Sequence, residues 1–148
     1  YTLSSVQGSL EALRSVNTIT HFTHYTVGHA HLGVYGFVAF VLFGFIYEVG
    51  PRLTGRPWPW PRLIQFHFWL VVVGFAIYFA ALTLGGWLQG RAMLDALRPF
   101  SDSVILLKPY LEARSLGGAL MTLGHLVFAF HVAALFMGHA PRRAPVPA

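Results

Sequence analysis

The sequence predicts an all-α integral membrane protein with three transmembrane helices, and three observations carry that prediction. Of the 148 residues, 55% are apolar and only 10% are charged, whereas a soluble domain carries about 25% charged residues. Three apolar runs are each long enough to cross a hydrocarbon core about 30 Å thick, which takes roughly 20 helical residues. Lys and Arg gather mostly in short stretches between those runs. The formal charge of +5 therefore reads as membrane topology, and no basic stripe interleaved with aromatics points to nucleic acid. With no cysteine in the chain, disulfides, thiolate metal sites and cysteine nucleophiles are excluded.

Residues 1–25 read as an interfacial approach. Tyr1 is not Met, and Thr2 to Glu11 has neither the basic n-region nor the apolar core of a signal peptide. A processed piece, a separately built subunit or the C-terminal part of something longer is expected. Thr20 or Thr23 is placed to cap the first span, which runs over 26–49. Pro51, Pro57, Pro59 and Pro61 forbid helix continuation, and they surround Trp58 and Trp60 at interface height. The second span covers 63–84. Between it and the third lies the mixed-charge stretch 90–114, where Leu94 and Leu97 suggest an amphipathic surface helix ended by Pro99. The third span covers 116–137, and the Pro/Ala-rich tail 139–148 reads as disordered. Arg52, Arg56, Arg62, Arg142 and Arg143 crowd one side, with Glu48 the only acid nearby. That density puts the first loop and the tail in the cytoplasm and the N-terminal stretch outside.

The chemistry concentrates at His29-Ala30-His31. Each residue turns an α-helix by about 100°, so these imidazoles point about 200° apart. They cannot grip one metal between them, but each can hold a different metal on opposite sides of one helix. Histidine inside a membrane span is a functional candidate by default. A heme iron takes a neutral imidazole nitrogen on its axis, and its macrocycle needs clearance beside the ligand's own helix. Gly33 and Gly36 lie four and seven residues after His29 and share its predicted face, leaving a flat groove. The face of His31 carries Val27, Gly28, Val34 and Val38. Two irons so held would stand roughly 10–20 Å apart, from helix radius plus imidazole reach.

The remaining polar residues have milder readings. His21, Thr23, His24 and Thr26 could bond heme propionates near the outer surface, or serve as caps and interface residues. His67, beside Phe66, Phe68 and Trp69, reads as an interface-level hydrogen-bonding residue. His125 and His131 are six residues apart, about 120° around the helix, and read as structural. Glu48 is expected to pair with Arg52 at i+4.

Ser15-Val16-Asn17 followed by His21-Phe22-Thr23-His24-Tyr25-Thr26-Val27-Gly28-His29-Ala30-His31-Leu32-Gly33 resembles the tenth transmembrane helix, with its approach, of subunit I of the heme-copper oxidase superfamily. The likeness is closest to the C-family, cbb3-type oxidases, and next to the nitric oxide reductases. Pro51-Arg52-Leu53, His67-Phe68-Trp69-Leu70, Gly86 with Leu88-Gln89-Gly90, and Arg114-Ser115-Leu116-Gly117-Gly118 extend it over nearly the whole chain. The resemblance implies that the spans are the last three helices of a twelve-helix subunit in a bacterial inner membrane. It implies two b-type hemes, with His29 the proximal ligand of the high-spin heme where oxygen is reduced. His31 would be one axial ligand of the low-spin heme b that feeds it electrons. Copper, or non-heme iron, would come from earlier helices, as would the second low-spin ligand, so the isolated chain is expected not to be catalytic. Implied partners are the remaining helices of subunit I, cytochrome c-type electron-donor subunits and membrane lipid. Two other readings stand beside this one. One is the large subunit of a nitric oxide reductase, converting NO to N2O; the other is a non-catalytic membrane subunit that holds no heme.

Overall fold

The structure is a computed structural model and describes residues 1–138; the predicted disordered tail 139–148 lies outside the described residues. Every element found there is helical. Two short helices, α1 (Thr2–Glu11) and α2 (Arg14–Thr20), precede the first span. That span is one continuous run, His24–Thr54, made of α3 (His24–Gly33), a π-helical segment (Val34–Ala39) and α4 (Phe40–Thr54). The other two are α5 (Arg62–Met93) and α6 (Phe100–Phe136). All three are long and apolar enough to cross a membrane, and the chain is a multi-pass membrane protein.

The helices outrun the apolar stretches that predicted them. At 1.5 Å per residue, the 32 residues of α5 and 37 of α6 exceed a hydrocarbon core about 30 Å thick, so their ends reach into the interfacial layers. Pro51 does not end the first helix as expected. It sits inside α4, which continues to Thr54 and stops at Gly55 in the left-handed region (φ 66). Proline removes the N–H that would bond the carbonyl four residues back. That carbonyl, on Tyr47, instead accepts the Trp58 indole N–H at 2.7 Å. Trp58 is accordingly turned inward and buried, while Trp60 is half exposed.

The amphipathic surface helix expected around Leu94 and Leu97 is absent. Leu97 is fully out in solvent, and Asp95 closes the turn by accepting the Leu97 N–H at 3.1 Å and pairing with Arg98 at 3.1 Å. Pro99 biases its predecessor toward extended backbone, and it starts a helix rather than ending one. From Phe100, α6 runs unbroken through Pro109 into the predicted third span.

Glycines set the helix spacing. A Cβ on Gly117 would lie 2.5 Å from the Gly74 carbonyl oxygen, so the backbones of α5 and α6 touch at that crossing. Small residues permit this approach where hydrophobic segregation offers no force between helices in lipid. Further along, Gly124 accommodates Val71 and Gly85 accommodates the Tyr110 ring. Leu32, Phe75 and Met121 form the central core, with Tyr35, Phe40, Tyr78 and Phe79 packed around it. The first span lies against the close-packed α5–α6 pair.

Candidate functional site

The height and rotation of α3 are fixed at its start. Thr23 caps it, its hydroxyl accepting the Tyr25 N–H at 3.2 Å. The buried Gln89 of α5 accepts the His24 N–H at 3.0 Å and meets His24 Nδ1 at 2.9 Å. Two glycines bring the helices together. Gly86 leaves no room for a Cβ against the Tyr25 backbone, and a Cβ on Gly28 would stand 3.2 Å from Leu82 and Thr83 side-chain atoms. These contacts leave His29 on the side of α1 and His31 on the side of α5, the opposed arrangement that i, i+2 spacing demands.

His29 is half-buried beneath α1. Its Nδ1 lies 3.4 Å from Gln7 Oε1 and 3.7 Å from a Glu11 carboxylate oxygen. Gln7 is buried, and Glu11 is held in turn by the Thr26 hydroxyl at 3.3 Å. Both neighbours of Nδ1 are acceptors, so Nδ1–H is the donor toward them, and a neutral ring keeps its lone pair on Nε2. A carbonyl or carboxylate on the far nitrogen is the usual means of fixing the tautomer of a metal-ligating histidine. Gly8 of α1 packs against the ring edge, where a Cβ would stand 3.1 Å from Cε1 and 3.3 Å from Nε2.

His31 follows the same logic with different partners. Its Nδ1 donates to the Val27 carbonyl one turn back at 2.8 Å, which again leaves the lone pair on Nε2. Tyr78 of α5 meets that nitrogen through its hydroxyl at 3.2 Å. Each imidazole thus has Nδ1 facing an acceptor, and among the described residues no three His, Asp or Glu side chains converge on one point. One neutral nitrogen per face is the donor set an axial heme ligand requires. The donor chemistry of the two imidazoles fits that group, while the Tyr78 hydroxyl stands at the His31 nitrogen.

The other predicted site residues separate. Gly33 stays on the His29 side, where a Cβ would stand 3.5 Å from the Ser4 hydroxyl of α1. Gly36 does not share that face. A Cβ on it would meet the Phe75 ring at 2.7 Å, because the π-helical turn over Val34–Ala39 advances fewer degrees per residue and swings Gly36 toward α5. The predicted groove under His29 is therefore interrupted after Gly33. His21 is exposed at the end of α2, its ring tilted by 53° against Phe22 with centroids 4.0 Å apart.

The histidines read as structural or interfacial sit inside the bundle with partners. Tyr35 bonds His125 at 2.9 Å, Tyr47 bonds His67 at 3.1 Å, and His131 Nε2 donates to the Pro59 carbonyl. Glu48 pairs with Arg52 as its spacing predicts. Sequence reasoning missed Gln7, Glu11 and Tyr78. All three depend on contacts between residues 18 to 47 positions apart in the chain, which carry no local signal.

The sequence is similar to one group of known proteins. Residues 1–120 match the family described as Cytochrome C and Quinol oxidase polypeptide I. A cytochrome c oxidase subunit 1 homolog of Agrobacterium tumefaciens is 32% identical over 94% of this chain and 27% of its own length. Cytochrome c oxidase subunit 1 of Rhodobacter capsulatus is 33% identical over 89% of the chain and 26% of its own. A cbb3-type cytochrome c oxidase subunit of Stutzerimonas stutzeri is 35% identical over 88% and 29%. The chain spans about a quarter of the length of these relatives.

Proposed function

This chain belongs to the cytochrome c and quinol oxidase polypeptide I family, and on that premise we propose that it is the heme-binding C-terminal portion of a respiratory terminal oxidase catalytic subunit. The observation that carries the reading is the opposed pair of imidazoles. His29 and His31 leave one helix toward different neighbours, each with Nδ1 tied to an acceptor. His29 would hold a high-spin b-type heme and His31 a low-spin one. Bound there, the hemes supply one-electron transfer from the low-spin to the high-spin member, where O2 is reduced to water with a copper partner from outside this stretch.

The chain's own residues position and insulate. Gln7 and Glu11 hold the His29 ring and its tautomer from α1, while the Val27 carbonyl does the same for His31 within α3. The helix itself keeps the two ligands on opposite sides at a fixed separation. Gly28 and Gly86 press it against α5, so neither ring can turn by helix rotation. His21, exposed near the outer end of α3, would meet a heme propionate.

Such a chain works only in an assembly: with the remaining helices of subunit I, cytochrome c-type electron-donor subunits and lipid, in a bacterial inner membrane. A pyridine hemochrome assay on the purified assembly tests the reading. Two b-type hemes per catalytic subunit are expected, and an assembly without heme would instead be a non-catalytic membrane complex.

A further inference from the structure

Helix α1 runs antiparallel to the first span and lies along the face that carries His29. Three contacts in a row trace this. Gly8 packs on the His29 ring, Ser4 stands beside Gly33, and the rings of Tyr1 and Phe37 lie 5.5 Å apart. Each step advances four residues along the first span and returns three or four along α1, the spacing that keeps helical residues on one face.

A regular helix would align a different residue below Gly33. At about 100° per residue, Gly36 falls about 20° from His29 and Phe37 about 80°. The structure reverses that order. A Cβ on Gly36 would stand 2.7 Å from the Phe75 ring of α5, and Phe37 reaches α1 instead. The π-helical turn Val34–Ala39 contains both residues. Its bonds span five residues where α-helical bonds span four, so the turn holds one residue more. On either side the span is pinned. Gln89 accepts the His24 N–H at 3.0 Å at the start of α3, and Tyr47 of α4 bonds His67 at 3.1 Å. The extra residue is taken up between two fixed halves.

We propose that the π-helical turn exchanges Gly36 for Phe37 on the His29 face. The aromatic ring closes that face against Tyr1 of α1, and the glycine goes to the contact with Phe75, where a side chain has no room. Phe37 then limits how far the space beneath His29 extends along the helix. That last role rests on the reading of His29 as an axial ligand; the exchange itself stands on the contacts alone.

The test is solid-state NMR of the full-length subunit in membranes, with glycine, histidine and the aromatic rings labelled. Deleting Val38, whose side chain is half exposed, takes one residue out of the turn and should restore a regular helix. The variant should lose the Gly36–Phe75 and Tyr1–Phe37 contacts and keep Tyr47–His67. Inserting one alanine after Val38 is the contrast: the turn is already full, so α4 must rotate and Tyr47–His67 is lost. Retention of Gly36–Phe75 after the deletion, loss of Tyr47–His67 after it, or survival of Tyr47–His67 after the insertion overturns the proposal. Should the deletion variant fail to accumulate, the unaltered subunit decides: Gly36–Phe75 and Tyr1–Phe37 must both be present, and absence of either overturns the exchange. In the assembled complex the deletion should shift the high-spin heme absorption and leave the low-spin spectrum in place; an unchanged high-spin spectrum overturns the role of Phe37 beneath His29. If His29→Ala keeps the high-spin spectrum, the ligand reading fails, and the three contacts still decide the exchange.

Discussion

The first span and the α5–α6 pair are both long apolar helices, yet they are packed in opposite ways. In their most apolar stretches, α5 and α6 bury 33% and 28% of their residues, while the first span buries 6%. The pair meets through backbone-to-backbone glycine contacts that leave no space for a side chain. The first span meets it through a few glycines near its N-terminal end and through tyrosine–histidine bonds, Tyr35 to His125 and Tyr47 to His67. The lesson is a division of labour. One pair of helices supplies the rigid wall, and the third carries the candidate ligands with much of its surface unclaimed by this chain.

That contrast can be broken most severely at the seam. Gly117→Leu would drive a side chain into the Gly74 carbonyl and the Tyr78 backbone, where overpacking costs about 1–3 kcal/mol or more. Loss of the full-length subunit from membranes, with both heme signals, is expected on quantitative immunoblot and optical spectra. Accumulation and melting like wild type would show that α5 and α6 are not the scaffold.

A smaller effect is expected on the chemical side. Gln7→Leu keeps the volume of a buried side chain and deletes the acceptor at His29. Changes to residues that orient a metal ligand typically cost about 10–100-fold. Activity of the assembled complex should fall within that range, with an altered iron–histidine stretch in resonance Raman spectra of the high-spin heme and an unaltered low-spin spectrum. A shift in the low-spin heme alone would place Gln7 on the wrong face.

The mildest test compares two glycines of one helix. Gly36→Ala pushes against the Phe75 ring at 2.7 Å, whereas a Cβ on Gly44 meets nothing within 4 Å. The first should lower thermal stability by about 1 kcal/mol. The second should leave it within about 0.5 kcal/mol or raise it slightly through helix propensity. Equal melting curves would mean that the π-helical turn does not set the contact with α5.

Much of this was legible in the sequence because it depends on local periodicity. Hydropathy located three spans, 100° per residue put His29 and His31 on opposed faces, and i+4 spacing paired Glu48 with Arg52. Where the reading went astray, a distant residue intervened. Pro51 reads as a helix stop until Trp58 supplies the donor that Tyr47 lost. Gly36 reads as aligned with His29 until one π-helical turn alters the register. Leu94 and Leu97 read as a surface helix because the turn closed by Asp95 leaves no periodic trace. The partners of the two imidazoles, Gln7 and Tyr78, were invisible because only the fold brings α1 and α5 to opposite sides of α3.

The central claim is that one helix holds two different hemes, one on each side. The direct measurement is a pair of reduced-minus-oxidised spectra on the assembled complex, with His29→Ala in one and His31→Ala in the other. The account predicts selective losses: the high-spin signal disappears with His29, the low-spin signal disappears with His31, and each variant retains the other heme. Unchanged spectra in both variants would contradict it.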